Sequence, residues 1–190
     1  ATGNDNSARY FNYYFGKVPH IIRKNRSSVA VLTGQETRED IEALGRDMFT
    51  YFGLGCRNVS KWYVPEGADI TATLDKLQDW AHLMDHHKWK NNYDYHRSIL
   101  LLNKTPHLAT DFMMLQEAEP VSTPLSIIHY SRYTNREDLE LQLNQQKDDI
   151  QCIVSKDETI AGALPLGTTQ QPQLWDYADK VDTLDFLLSL

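Results

Sequence analysis

Ser28-Val29-Ala30-Val31-Leu32-Thr33-Gly34 decides the fold. A β-branched apolar run closed by Thr-Gly reads as a buried strand. Downstream, Thr37 stands as an N-cap ahead of Ile41, Leu44, Met48 and Phe52 at helical spacing, with Glu39 and Asp40 in the first turn, where the helix dipole favours acids. Gly53 breaks that helix. Val59 to Val64 resumes as a strand and stops at the turn signal Pro65-Glu66-Gly67. Strand, helix and strand in this order predict a parallel α/β sheet with right-handed crossovers.

The flanking sequence extends the pattern. Asn4 to Ser7 offers capping residues for a helix over Ala8 to Phe15 that Gly16 ends, and a further helix from about Ala68 carries Ile70, Leu74, Leu77, Ala81 and Met84 on one face. His86 to Tyr95 has no clear period. Ser98 to Leu102 and Phe112 to Leu115 read as two short strands joined around Pro106, a hairpin excursion. Then come a strand from Leu125 to Tyr130, a helix from Arg136 to Lys147 capped by Asn135, and a strand from Ile150 to Ser155. Ala163 to Pro172 reads as loop and Val181 to Leu188 as a short terminal helix.

With 190 residues, 41% hydrophobic and 24% charged, the chain is long enough for one substantial domain of ordinary soluble composition. No apolar stretch reaches the length of a membrane span, and the first residues lack the basic and apolar regions of a signal peptide, so a cytoplasmic location is expected. The formal charge of −7 argues against a general nucleic-acid binder. Basic residues still cluster at Lys17, Arg23, Lys24 and Arg26, which reads either as a solvated loop or as an anion site for a phosphate-bearing ligand.

The two cysteines differ in setting. Cys56 lies in Gly53-Leu54-Gly55-Cys56-Arg57-Asn58-Val59-Ser60, a glycine-freed turn between helix and strand, where a nucleophile would be displayed. A helix C-cap glycine followed by a buried cysteine is the competing reading. Cys152, inside the apolar run Ile150 to Val154, reads as a stored core thiol. Neither belongs to a CxxC pair. His82 and His86, four apart, would share a helix face, but no carboxylate completes a zinc spacing and no metal is expected. Gly3 and Asn4 at a helix start form a weak phosphate signal.

Taken together, Thr2-Gly3-Asn4, Arg23 to Leu32, Gly53 to Ser60 and Pro172-Gln173-Leu174-Trp175-Asp176-Tyr177-Ala178-Asp179 resemble the LuxC-type acyl-CoA reductases of the aldehyde dehydrogenase superfamily. The likeness spans the whole chain and matches the C-terminal, catalytic half of such an enzyme. It implies an aldehyde dehydrogenase-like catalytic domain over residues 1–190, a fragment lacking the cofactor-binding N-terminal half, that folds but turns over poorly alone.

The resemblance also implies a reaction: reduction of a long-chain acyl-CoA to an aldehyde through a cysteine thioester, with hydride from NADPH or NADH. By position Cys56 is the nucleophile, its own amide helping to hold the oxyanion, and Gly3, Asn4 and Glu119 meet the cofactor. Hydrolytic members carry a water-activating glutamate where this chain has Arg23-Lys24-Asn25. Its lack favours exchange with a thiol over release of an acid, and the basic residues are candidates for phosphates of CoA or cofactor. A homo-oligomer is among the implied partners. Two alternatives stand: a noncatalytic binding or assembly module of the same fold, and an aldehyde-oxidising dehydrogenase.

Overall fold

The computed structural model describes residues 1–3 and 5–190, without the side chains of residues 5 and 180. The elements run α1 (Asp5–Phe15), β1 (Ser27–Val31), α2 (Arg38–Phe49), β2 (Val59–Pro65), α3 (Ile70–Asp75), α4 (His87–Leu102), β3 (Leu108–Ala109), β4 (Met114–Glu117), β5 (Ile127–Tyr133), α5 (Arg136–Gln145), β6 (Ile150–Ser155), β7 (Ala163–Leu164) and α6 (Thr183–Leu188). Short 3₁₀ segments occupy Thr50–Gly53, Gln78–Asp85 and Ala178–Lys180. The strands form one sheet in the order β3-β4-β5-β2-β1-β6-β7. Every neighbouring pair is parallel except β3 and β4.

Alternation along β1 sets the two layers. Ala30 and Leu32 pack with Ile41, Leu44, Met48 and Phe49 of α2, and with Trp62 and Val64 of β2. Val29 and Val31 face the other way, onto Tyr63, Leu139 of α5, Ile150 and Ile160. The N-terminus of α2 is a capping box: Thr37 Oγ1 accepts from the Asp40 amide at 3.2 Å, and Asp40 Oδ2 accepts from the Thr37 amide at 2.9 Å. Asn135 caps α5, its Oδ1 accepting from the Asp138 amide at 2.9 Å.

The expected parallel sheet, the helix after Thr37, the strands around it and the terminal helix are present. Three expectations are corrected. Ser98 to Leu102 is not a strand but the last part of α4, a sixteen-residue helix. Trp89 and Tyr93 bury its inner face and anchor it to the next segment: Trp89 Nε1 donates to the Phe112 carbonyl at 2.8 Å, and the Tyr93 hydroxyl to the Thr110 carbonyl at 2.6 Å. The hairpin therefore exists with a different first arm, Leu108–Ala109 against Met114–Leu115. The helix from Ala68 is short, and a 3₁₀ segment takes over at Gln78. That segment brings Trp80 against α2, where a β-carbon on Gly45 would meet the indole nitrogen at 2.1 Å. Within the expected loop from Ala163, Ala163–Leu164 adds the edge strand β7.

Candidate functional site

The N-terminal ends of the parallel strands, and the loops that feed them, surround a cleft of about 700 Å³ lined by Gly3, Arg23 to Ser27, Gly53 to Cys56, Trp89, Ser122 to Ile128 and Asp179. In many open α/β sheets ligands bind beyond the carboxyl ends of the strands. Here the displayed thiol is at the opposite edge.

Local chemistry explains the display of Cys56. After α2 the chain takes three successive left-handed conformations, at Tyr51 (φ 56°), Phe52 (φ 57°) and Gly53 (φ 67°), and reverses direction. Gly55 to Asn58 then forms a turn closed by the Asn58 amide donating to the Gly55 carbonyl at 3.0 Å, with Cys56 and Arg57 at its centre. Cys56 is exposed. Its carbonyl accepts from Ser28 Oγ at 3.2 Å. Among the described residues no acceptor takes the amides of Cys56 or Arg57, so the thiol lies beside two free donors. A nucleophile next to unpaired amides is the arrangement that stabilises a developing oxyanion.

Side chains from distant sequence hold this turn. Asn58, 2% exposed, accepts from the Gly55 amide at 2.9 Å and donates to the carbonyls of Asp47, Met48 and Thr50 at 3.0, 3.3 and 2.8 Å. Arg57 Nε donates to the Thr169 carbonyl, and its guanidinium lies 4.0 Å from Asp176. Asp47, fully buried, accepts from the amides of Gly167 and Thr169 and from Thr169 Oγ1 at 2.6, 2.9 and 2.8 Å. Burial pushes the Asp47 carboxyl up while those bonds oppose the shift. No local sequence pattern encodes the attachments of Arg57 and Asp47, which reach residues more than a hundred positions away. Asn58, polar and two residues past the cysteine, was the one visible signal.

Of the other expected site residues, Gly3 shares the cleft with Cys56. Its amide is already used, donating to the Arg23 carbonyl at 3.2 Å, and a β-carbon there would meet Ser7 Cβ at 2.6 Å, so glycine is needed for α1 to approach. Asn4 lies outside the described residues. Glu119 is exposed on the connection from β4 to β5 and does not line the cleft. Its carbonyl, not its carboxylate, is engaged, accepting from Lys61 Nζ and from Gln146 Nε2 at 2.6 Å.

The basic cluster divides between residues that hold the tail and residues exposed on the surface. Arg23 donates to the Ala178 carbonyl at 2.8 Å and to Thr183 Oγ1 at 3.0 Å. Arg23 and Arg26 lie 3.6 and 3.4 Å from Asp179, and Lys24 lies 2.7 Å from Asp149. Two arginines therefore pin the tail, while Lys17 and Lys24 stay exposed, Lys24 in a surface ion pair. Asp179, the sole carboxylate among the described residues of the cleft wall, is held by both.

Cys152 is not sealed in the core as expected. β7 pairs only with Ile153 and Val154, so the first half of β6 is an uncovered edge, and Cys152 is half-buried beside a second cavity of about 610 Å³ under α5. Burial raises its thiol pKa above the ordinary value. Among the histidines, His82 Nδ1 lies 3.0 Å from the Asp79 carbonyl, and His86 accepts from the Trp89 amide and stacks on Phe52 at 4.1 Å. Among the described residues no three His, Cys, Asp or Glu side chains are grouped to hold a metal ion, and no helix is long and apolar enough to cross a membrane.

No protein-family model and no curated protein matches the chain. Solved structures do. An NAD-dependent aldehyde dehydrogenase from Sinorhizobium meliloti aligns over 90% of this chain and 39% of its own, at 9% identity and a TM-score of 0.55. An aldehyde dehydrogenase from Bacillus cereus, solved with NAD⁺, aligns over 84% and 39% at 10% identity and 0.56. An NADP-dependent enzyme of E. coli aligns over 83% and 40% at 13% identity and 0.57. The chain spans about two-fifths of the length of these structures. At such identities the likeness concerns architecture, and the chain has the fold of an aldehyde dehydrogenase-like catalytic domain.

Proposed function

We propose that the chain is the catalytic domain of a LuxC-type acyl-CoA reductase, with Cys56 as the acyl acceptor. The observation that carries this reading is the exposed Cys56 at the centre of a turn whose two central amides are unpaired, on a cleft shared with Gly3. The Cys56 thiolate attacks the thioester carbonyl, forming a new carbon–sulfur bond; the bond to CoA sulfur breaks, and CoA leaves as a thiol with the proton Cys56 gave up. The amides of Cys56 and Arg57 hold the carbonyl oxygen as its charge develops. The cleft wall of Met48, Phe49, Trp89, Ile127 and Ile128 suits an apolar acyl chain.

The residues present fit one end of a nicotinamide cofactor: Gly3 leaves α1 close to the cleft, and Ser122 and Thr123 supply hydroxyls on its wall. When bound, NADPH or NADH supplies the hydride that converts the acyl carbon to an aldehyde. This chain's part is to keep water idle. The one carboxylate of the described cleft wall, Asp179, is tied into ion pairs with Arg23 and Arg26. That supports thioester chemistry over oxidation to a free acid, the reading an aldehyde-oxidising dehydrogenase would require. Intact-mass detection of an acyl adduct after mixing with long-chain acyl-CoA, lost in Cys56→Ser, tests the proposal. Wild-type chain that stays unmodified favours a noncatalytic module.

A further inference from the structure

Tyr51 and Phe52 sit in left-handed backbone, where a β-carbon crowds the following carbonyl, and Gly53 follows in the same region. Such strain persists only where the surroundings over-determine it. Phe52 is held by its stack on His86, but Tyr51 is 69% exposed. Besides the Leu54 amide, which donates to the Tyr51 carbonyl at 3.3 Å, the turn is restrained by Asn58, which reaches both of its sides. Its Nδ2 donates to the Thr50 carbonyl just before it, at 2.8 Å, and its Oδ1 accepts from the Gly55 amide just after it, at 2.9 Å. Its backbone completes the frame, the amide closing on the Gly55 carbonyl and the carbonyl accepting from the Ser28 amide of β1, both at 3.0 Å.

We propose that Asn58 is the positioning residue of the Cys56 turn, holding the thiol and the two free amides in one fixed relation to each other. This rests on the reading of Cys56 as an acyl acceptor. Gly55 is the residue most directly governed: its amide is taken up by Asn58 Oδ1, while the next two amides, those of Cys56 and Arg57, have no acceptor among the described residues. An aspartate at 58 would keep that acceptor and set a carboxylate against three carbonyl oxygens. An alanine would lose both halves of the staple.

The test compares wild type with Asn58→Ala, using long-chain acyl-CoA to acylate Cys56 and iodoacetamide to alkylate it. A fixed thiol–amide geometry matters for a carbonyl with a developing oxyanion and not for a small alkylating reagent. Acylation is therefore expected to slow about 10- to 100-fold while alkylation holds or quickens. Tyr51→Gly/Asn58→Ala, in which glycine removes part of the strain, is expected to recover part of the acylation rate, and it replaces the single variant should that one fail to fold. Equal slowing of both reactions, or unchanged acylation, overturns the proposal. If wild type is not acylated, the reading of Cys56 fails separately, and amide hydrogen exchange at residues 50–58 decides for Asn58. Faster exchange in the variant supports the staple, and unchanged exchange overturns it.

Discussion

Lys61 gives the sharpest quantitative prediction. It lies on β2 five residues beyond Cys56, 1% exposed, with Nζ donating to the Glu119 carbonyl and to Gln146 Oε1 at 3.3 Å, and 5.0 Å from the centre of the Tyr63 ring. No carboxylate forms an ion pair with it among the described residues. Burial pulls its pKa down from 10.5 to about 8, against the opposing influence of the Glu119 charge. A lysine whose pKa is lower in the folded than in the unfolded chain takes up protons on unfolding anywhere between the two values. The unfolded state binds more protons there, so stability rises with pH from about 8 to about 10.5.

Below pH 8 the folded chain bears the full cost of the buried ammonium. At about 1.4 kcal/mol per pKa unit, that cost is at most about 3 kcal/mol. Lys61→Met removes the charge without orphaning its partners. The Glu119 carbonyl keeps Gln146 Nε2 at 2.6 Å, and Gln146 Oε1 keeps the Tyr63 hydroxyl at 2.9 Å. Losing the amine's own bonds offsets about 1 kcal/mol, so the variant is expected to be about 2 kcal/mol more stable at pH 7. The gap should shrink to about zero between roughly pH 9 and 10 as wild type sheds the proton. The neighbouring titratable groups stay outside this window: burial lowers His129 and raises Tyr63. Urea unfolding of both proteins at pH 7, 8, 9 and 10 measures the difference directly. A gap that does not change with pH, or a variant less stable at pH 7, refutes the reasoning.

Two backbone predictions accompany it. Tyr51→Gly relieves a left-handed residue that is largely exposed; a relief of about 1–2 kcal/mol against a glycine entropy cost of about 0.5–1 leaves the variant about 0.5–1 kcal/mol more stable, read as a higher urea midpoint. Gly45→Ala gains about 1 kcal/mol of helix propensity, but its β-carbon would fall 2.1 Å from Trp80 Nε1 in a ring packed 5.3 Å from Phe49. A net loss of about 1–2 kcal/mol is expected, with a changed near-ultraviolet signal from Trp80.

Elements with strong local signals were legible in the sequence. Thr37 and Asn135 mark α2 and α5 because capping is decided within four residues, and β1, β2 and β6 follow from short apolar runs between turn residues. Ser98-Ile99-Leu100-Leu101-Leu102 misled because a five-residue apolar run fits a strand or a helix equally. It is helical, with Leu101 and Leu102 60% and 82% exposed, and the burial that fixes α4 comes from Trp89, Tyr93 and, within the run, Leu100 alone. At the site, Gly53 and Gly55 announced an exposed Cys56. The attachments of Arg57 to Thr169 and of Arg23 to the tail cross more than a hundred residues, and no local pattern encodes them. Cys152 depended on where a two-residue edge strand happens to stop.

The most direct test of the account is where an acyl group goes. Wild type is mixed with long-chain acyl-CoA in the absence of nicotinamide cofactor, quenched, and mapped by peptide mass. The account predicts a single thioester on Cys56, absent in Cys56→Ser, with Cys152 unmodified. Acylation at Cys152 instead, or a modification that persists in Cys56→Ser, would contradict it.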